Sequence, residues 1–155
     1  MKFKYMKILT LLIITLAILV GCSFNNEKTK EASPKEVVEN YFQYYNDKDE
    51  EKLSSTLTQW HNELDMEWNF DNLESIKLLS ISEEKDEMKV EDYLTNGRGS
   101  VNGVAKENVK VFKVKYEVKY KEEGKGPIDS GTYEQWYFVI RESEKSPWLI
   151  DDFGY

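Results

Sequence analysis

The sequence is poor in the residues that form covalent or metal cross-links. It has one cysteine and one histidine in 155 residues, so an internal disulfide is excluded and no histidine or cysteine pair is available for zinc. Basic residues are also the minority, 21 against 29 acidic residues. An acidic surface repels phosphate backbones, so we expect no nucleic-acid partner. The fold must be held by packing, for which an aromatic content of 14% is ample.

The longest apolar run lies close to the N-terminus, where three lysines precede residues 8–20. These thirteen residues suit a signal peptide but are too few to span a bilayer, which takes about 20. The run ends in Leu19-Val20-Gly21-Cys22, which resembles the lipobox of bacterial lipoproteins. The resemblance implies that residues 1–21 are a signal peptide and that Cys22 becomes the acylated first residue. The alternative interpretation is a plain unpaired thiol.

The charge of the remaining chain bears on how it is held at a membrane. Without the leader it carries 18 basic and 29 acidic residues, a net charge of −11. Anionic headgroups repel such a protein, so the acyl chains on Cys22 are its expected attachment to the extracytoplasmic face of the cell membrane. Residues 22–33 are polar and without periodicity, which indicates a flexible tether. Residues 34–155 then form one domain.

Helical periodicity comes first in this domain. Ser33-Pro34-Lys35-Glu36 is typical of a helix start, with a capping hydroxyl, a proline in the first turn and a glutamate at the third position. A second helix is predicted to follow Asp47 or Asp49. The apolar residues that define the two helices are Val37, Val38, Tyr41, Phe42 and Tyr45, then Leu53, Leu57, Trp60 and Leu64.

From Leu73 onward, alternating apolar residues predict an antiparallel sheet. We expect strands over residues 73–81 with a phase shift or bulge, 109–121 with a bulge or bend near Val111, 133–141 as a central strand, and 148–155. Residues 92–102 contain Asn96-Gly97 and Gly99, which predict a loop or loose hairpin.

The order of three segments carries a family resemblance: Glu39-Asn40-Tyr41-Phe42, residues 73–78 and residues 146–154. Together they resemble the nuclear transport factor 2-like fold. This resemblance implies an α+β domain whose N-terminal helices pack in the concave face of a strongly curved antiparallel sheet, a cystatin-like cone with a mouth at one end. More narrowly, residues 34–155 are similar to a family of domains of unknown function (DUF4829) found in lipoproteins of Gram-positive bacteria. That similarity implies a fold and a location but no activity.

Enzymes with this fold place an aspartate, or an aspartate and a histidine, inside the cone. Asp151 and Asp152 are the carboxylates that approach such a position, and His61 is the candidate general base. The competing interpretation is a solvent-facing aspartate pair and a helix-terminal histidine beside acidic residues. An isomerase or dehydratase using these residues is therefore the alternative hypothesis.

Aromatic residues indicate either a ligand pocket or plain core. No metal or cofactor is predicted, because residues 47–51 lack the spacing of a calcium loop and no phosphate-binding glycine motif follows a strand. Arg98, at the tip of a turn-rich loop, is a candidate contact for a partner. The leading hypothesis is a membrane-anchored module that binds a small apolar ligand or an envelope protein. Its candidate pocket residues are Tyr41, Tyr45, Trp60, Tyr116, Tyr120, Trp136 and Trp148.

Overall fold

A computed structural model describes residues 31–64 and 66–154. In this part of the chain, helices precede and interrupt a curled, four-stranded antiparallel sheet, so the α+β prediction is confirmed. Cys22, the predicted signal peptide and the tether up to residue 30 lie outside the described residues. None of the described helices is both long enough and apolar enough to cross a membrane.

The first helix, α1 (Pro34–Asp47), begins with the predicted capping box. The Ser33 hydroxyl oxygen accepts a hydrogen bond from the Glu36 N–H at 3.3 Å, and Glu36 Oε2 accepts one from the Ser33 N–H at 2.7 Å. The helix ends where Lys48 takes a left-handed conformation with φ 57°. The Lys48 ammonium then donates to the Leu73 carbonyl at 2.7 Å, which ties this end of the helix to the start of the sheet.

The prediction of one continuous second helix is wrong. Two short helices occupy this region, α2 (Glu50–Ser54) and α3 (Gln59–Glu63). Between them Leu57 forms a parallel bridge with Ile150, and the Thr58 N–H donates to the Ile150 carbonyl at 2.9 Å. These bonds to a distant strand use backbone groups that a continuous helix would need for its own ladder.

The four strands pair in chain order: β1 (Leu73–Glu83), β2 (Val109–Tyr120), β3 (Gly131–Ile140) and β4 (Leu149–Gly154). The predicted irregularity of the first strand is confirmed, because the β1–β2 register shifts in two places. β3 lies between β2 and β4, as predicted for a central strand.

Two helices stand where a loop was expected, α4 (Glu87–Thr95) and α5 (Gly99–Asn102), followed by a 3-10 turn over Lys106–Asn108. Asp86 begins α4 as its cap, with Oδ1 accepting from the Met88 N–H at 3.0 Å. The loop prediction is therefore wrong for most of residues 92–102.

A bulge or bend was predicted near Val111, and no bulge interrupts the β2–β3 pairing there. The β2–β3 pairing runs without interruption from Val109 to Val118. Val111 and Phe112 are both buried because both faces of the sheet are covered there. Phe112 packs in the core that α1 covers, whereas Val111 packs with Tyr93 of α4 in a second, smaller core.

Aromatic rings fill the core under α1. Tyr41, Phe42, Tyr116 and Tyr137 are each at most 5% exposed. Phe42 contacts three of these rings, with centroids 5.3 Å from Tyr41, 5.2 Å from Tyr116 and 5.6 Å from Tyr137. Contacts at this spacing leave little free volume, which favours the core interpretation for these residues.

A candidate ligand-binding cleft

A solvent-accessible cleft of about 750 Å³ lies next to the smaller core. Three separate parts of the chain form its walls: the start of α3, the segment from α5 to the residues after it, and the facing ends of β3 and β4 with their connecting turn. The lining residues are 58–60, 98, 102–105, 140–142, 146–147, 149 and 151.

The carboxylate of Asp151 joins these walls. Asp151 is 1% exposed, and its Oδ1 accepts a hydrogen bond from the Thr58 hydroxyl at 2.9 Å. Its Oδ2 accepts from the Tyr93 hydroxyl at 2.6 Å and from the Asn102 side-chain amide at 2.9 Å. Burial, followed by the bond to Asp151, raises the pKa of Tyr93 above its usual value, so its hydroxyl stays protonated and donates.

The backbone carbonyl of the same residue holds α3. It accepts hydrogen bonds from Trp60 Nε1 at 2.7 Å and from His61 Nε2 at 3.0 Å. Because a carbonyl can only accept, the His61 proton must be on Nε2. Residue 151 therefore binds one helix through its backbone and two further segments through its side chain.

Glycines bring the loop between α4 and α5 against Tyr93. A Cβ atom at Gly97 would lie 2.9 Å from the Tyr93 carbonyl oxygen, and one at Gly99 would lie 2.8 Å from the Tyr93 ring. Any larger residue at either position would push the loop outward. This close approach places Arg98, which lies between the two glycines, at the cleft.

Arg98 contacts groups from two walls without a hydrogen bond to either. Its guanidinium carbon lies 3.9 Å from the centroid of the Trp60 ring. Its Nε is 3.8 Å from Asp151 Oδ2, which is beyond hydrogen-bonding distance. Nε is buried and has no hydrogen-bond partner among residues 31–64 and 66–154. The guanidinium is thus held by stacking and charge, and its donors are unused by the described chain.

Arg141 enters the cleft from the end of β3. Its Nε donates to the Asn108 side-chain oxygen at 2.9 Å and Nη1 donates to the Glu144 carbonyl at 3.4 Å. Its guanidinium carbon lies 4.7 Å from the centroid of the Trp148 ring. Two hydrogen bonds and a ring contact therefore orient this second guanidinium.

A family model described as Domain of unknown function (DUF4829) matches residues 35–154. The chain belongs to this family. The predicted similarity to DUF4829 is therefore confirmed. No curated protein and no solved structure matches the chain.

The structure distributes the predicted pocket residues of this DUF4829 domain over several sites. Trp60 lines the cleft, and Trp148 flanks it through Arg141. Trp136 lies on the sheet, where its Nε1 donates to Glu84 at 3.3 Å. The other four pack in or against the core under α1: Tyr41, Tyr45, Tyr116 and Tyr120.

The candidate catalytic residues are only partly brought together. Asp151 lines the cleft, whereas Asp152 does not, and its Oδ1 accepts from the N–H of Phe153 at 2.9 Å. Burial raises the pKa of Asp152 above its usual value. Burial lowers the pKa of His61, so its imidazole is neutral near pH 7. The remaining nitrogen, Nδ1, is buried and has no hydrogen-bond partner in the described chain, so it is not placed to take a proton from a ligand in the cleft.

Sequence reasoning found Asp151 and Trp60 but missed Thr58, Tyr93, Asn102 and Arg141 in this DUF4829 domain. Thr58 and Asn102 lie in short segments without periodicity, and Arg141 follows a strand that reads as plain core. Asp86 as a cap, with Val90, Tyr93 and Leu94 at helical spacing, was an available signal for α4. Among the described residues, no cluster of three metal-ligating side chains occurs.

Proposed function

We propose that this DUF4829 domain is the binding module of a lipoprotein, held by acylated Cys22 at the extracytoplasmic face of the cell membrane, and that it binds a small molecule in the cleft. The observation that carries the binding proposal is the cleft itself. Its volume of about 750 Å³ falls in the range of small-molecule sites, and three distant chain segments converge on it.

The walls of the cleft are rigidly connected, which suits binding. Asp151 accepts five hydrogen bonds from side chains of Thr58, Trp60, His61, Tyr93 and Asn102. A cleft that is held in shape before the ligand arrives loses less conformational entropy on binding.

The same hydrogen bonds favour binding over catalysis. A general base needs an oxygen or nitrogen that can reach the substrate proton. Both Asp151 carboxylate oxygens already accept hydrogen bonds, and the lone-pair nitrogen of His61 is buried. We therefore propose no catalytic role for Asp151, Asp152 or His61.

The membrane anchor is supported by the sequence. A lysine-bearing leader, a thirteen-residue apolar run and Leu19-Val20-Gly21-Cys22 follow one another in the order of a lipoprotein signal. The nuclear transport factor 2-like cone is a further part of the proposal, and the curled antiparallel sheet with α1 on one face supports it.

The binding proposal is tested by obstructing the cleft. Ala105 lines it and is exposed, so Ala105→Trp fills its entrance without disturbing the core. Val101→Trp is the matched control, because Val101 is 75% exposed and does not line the cleft. Full-length protein is purified from membranes in detergent, denatured, and the released small molecules are identified by mass spectrometry. We expect a compound recovered with the wild type and Val101→Trp but lost with Ala105→Trp. Equal recovery from all three, or from none, contradicts the proposal.

The anchor is tested separately with Cys22→Ser. We expect this variant to lose metabolic lipid labelling and to leave the membrane fraction, because anionic headgroups repel the acidic domain. A variant that stays membrane-bound and labelled contradicts lipidation at Cys22, whatever the outcome for the cleft.

A further inference from the structure

The distribution of cationic side chains is selective around the cleft. The chain has 21 lysine and arginine residues, and its two arginines, Arg98 and Arg141, both line the cleft, whereas none of the lysines among residues 31–64 and 66–154 does. Arginine differs from lysine in that its planar guanidinium pairs with an oxyanion through two parallel hydrogen bonds and stacks on aromatic rings. Arginine at both positions therefore favours a site that recognises an oxyanion through paired hydrogen bonds.

Both guanidinium groups are held against tryptophan rings. The distance from guanidinium carbon to ring centroid is 3.9 Å for Arg98 on Trp60 and 4.7 Å for Arg141 on Trp148. Stacking engages the face of the guanidinium and leaves the N–H groups at its edge able to donate. Arg141 already uses Nε and Nη1 in hydrogen bonds to Asn108 and Glu144, whereas the Arg98 guanidinium donates to no group of the described chain. Each arginine is thereby oriented before a ligand arrives.

The cleft also contains carboxylates, but none of them accepts a hydrogen bond from the guanidinium groups of Arg98 and Arg141. Asp151 already accepts from Thr58, Tyr93 and Asn102, and its nearest oxygen is 3.8 Å from Arg98 Nε. Glu142 also lines the cleft but is exposed, so water screens its charge. The Arg98 guanidinium therefore makes no hydrogen bond in the described chain, an arrangement that is costly for a partly buried cation.

The rest of the lining narrows the class of anion. Part of the cleft is apolar, which suits the carbon skeleton of an organic molecule better than a free inorganic ion. The apolar lining residues are Val104, Ala105, Ile140, Pro147 and Leu149. We infer that the cleft binds a small organic carboxylate, with its carboxylate accepting hydrogen bonds from Arg98 and Arg141 and its apolar part against these residues. This inference rests on the proposed binding function and names the ligand class for the same site.

The test uses full-length protein in detergent and five defined probes. Acetate, phenylacetate and succinate are carboxylates that carry different organic groups. Phenylacetamide is the uncharged counterpart of phenylacetate, and inorganic phosphate is the competing oxyanion. Binding is followed by calorimetry and by tryptophan fluorescence, since Trp60 and Trp148 contact the two arginines. We expect at least one carboxylate to bind at concentrations up to about 10 mM and phenylacetamide and phosphate to bind more weakly.

Two substitutions locate the carboxylate. Arg98→Gln and Arg141→Gln should each weaken binding about tenfold, because each removes a charge-assisted hydrogen bond. Lys106→Gln is the matched loss of one positive charge, at an exposed position that pairs with Glu87 and Glu91 outside the cleft. It should leave binding unchanged. Arg98→Lys should bind the carboxylate nearly as weakly as Arg98→Gln, because an ammonium group cannot form the paired hydrogen bonds of a guanidinium.

Several outcomes overturn the inference. They are equal binding of phenylacetate and phenylacetamide, tighter binding of phosphate than of every carboxylate, affinities unaffected by both arginine substitutions, and no binding of any carboxylate. If a neutral or cationic compound is released from wild type but not from Ala105→Trp, the carboxylate inference fails while the binding function stands. If neither a released compound nor any probe binds in the cleft, both fail.

Discussion

Aromatic side chains fill the core on the α1 side of the sheet, whereas a buried carboxylate and its hydrogen-bond donors organise the cleft beside the smaller core on the other side. On the first side, Phe42 packs among aromatic rings at spacings that leave little free volume. On the second, the buried carboxylate of Asp151 links the chain segments that surround the cleft. The aromatic residues under α1 therefore form a packed core, whereas the shape of the cleft depends on a few buried hydrogen bonds.

The largest expected effect concerns the aromatic side. Phe42 is 2% exposed, so Phe42→Ala should lower the free energy of unfolding by about 4 kcal/mol, through lost burial and the cavity left behind. Urea unfolding measures the change. Affinity for a carboxylate probe should be unchanged in the fraction that stays folded. A large loss of affinity in the folded protein would mean that the two sides are coupled.

The polar side should respond differently. Asp151→Ala should cost about 3 kcal/mol of unfolding free energy, because it leaves the donors of Thr58, Tyr93 and Asn102 without their acceptor. In contrast to Phe42→Ala, it should also abolish probe binding by the folded protein. Asp152→Ala is the control and should change both quantities little. If Asp151→Ala bound the probe as tightly as the wild type, the Asp151 carboxylate would not be needed to maintain the shape of the cleft.

One hydroxyl group provides a finer comparison. Tyr93→Phe removes the 2.6 Å hydrogen bond to Asp151 and should cost about 1.5 kcal/mol of unfolding free energy. Tyr133→Phe is the matched control, since the Tyr133 hydroxyl donates to the Asp129 carbonyl at an exposed site, and it should cost less than about 0.5 kcal/mol. Equal effects would show that the buried network contributes no more than a surface bond.

The smallest effect is a pH dependence. Because burial lowers the pKa of His61, the folded state binds this proton less readily than the unfolded state. The stability that neutral His61 contributes is present above its unfolded pKa of about 6.5 and is lost as the pH falls through the lower folded value. His61→Gln should therefore show a flatter profile of unfolding free energy between about pH 5.5 and 7.5. Identical slopes for variant and wild type would place His61 in solvent.

Local signals account for the parts of the fold that the sequence predicts well. Ser33 and Glu36 lie three residues apart and specify the start of α1 by themselves, and the alternation after Phe112 specifies a strand. The continuous second helix was wrong because Leu57 is bridged to Ile150, a partner far along the chain that no local pattern reveals. No bulge is needed near Val111, where a bulge or bend was expected, because α4 covers the second face of the sheet and buries Val111 there.

The site was harder to predict than the fold for the same reason. The pattern of the last strand was enough to predict Asp151 as a candidate site residue. Its hydrogen-bond partners, however, come from the region of α3, α4 and α5, whose arrangement is set by tertiary packing. Arg98 was recognised only as a loop tip, and nothing near Arg141 in the sequence indicates that it lines the same cleft as Arg98. No single segment of the sequence indicates that these distant residues meet at one cleft.

The position of Asp151 in β4 has a consequence for the order of folding. Its side-chain donors are 93, 58 and 49 residues away along the chain. Contacts that close such long loops form slowly and only after the intervening chain has been organised. We therefore expect α1 and the first three strands to associate before β4 docks and completes the cleft. A ligand that binds the cleft would then distinguish fully folded chains from chains that lack only the last strand, and by mass action would favour the former.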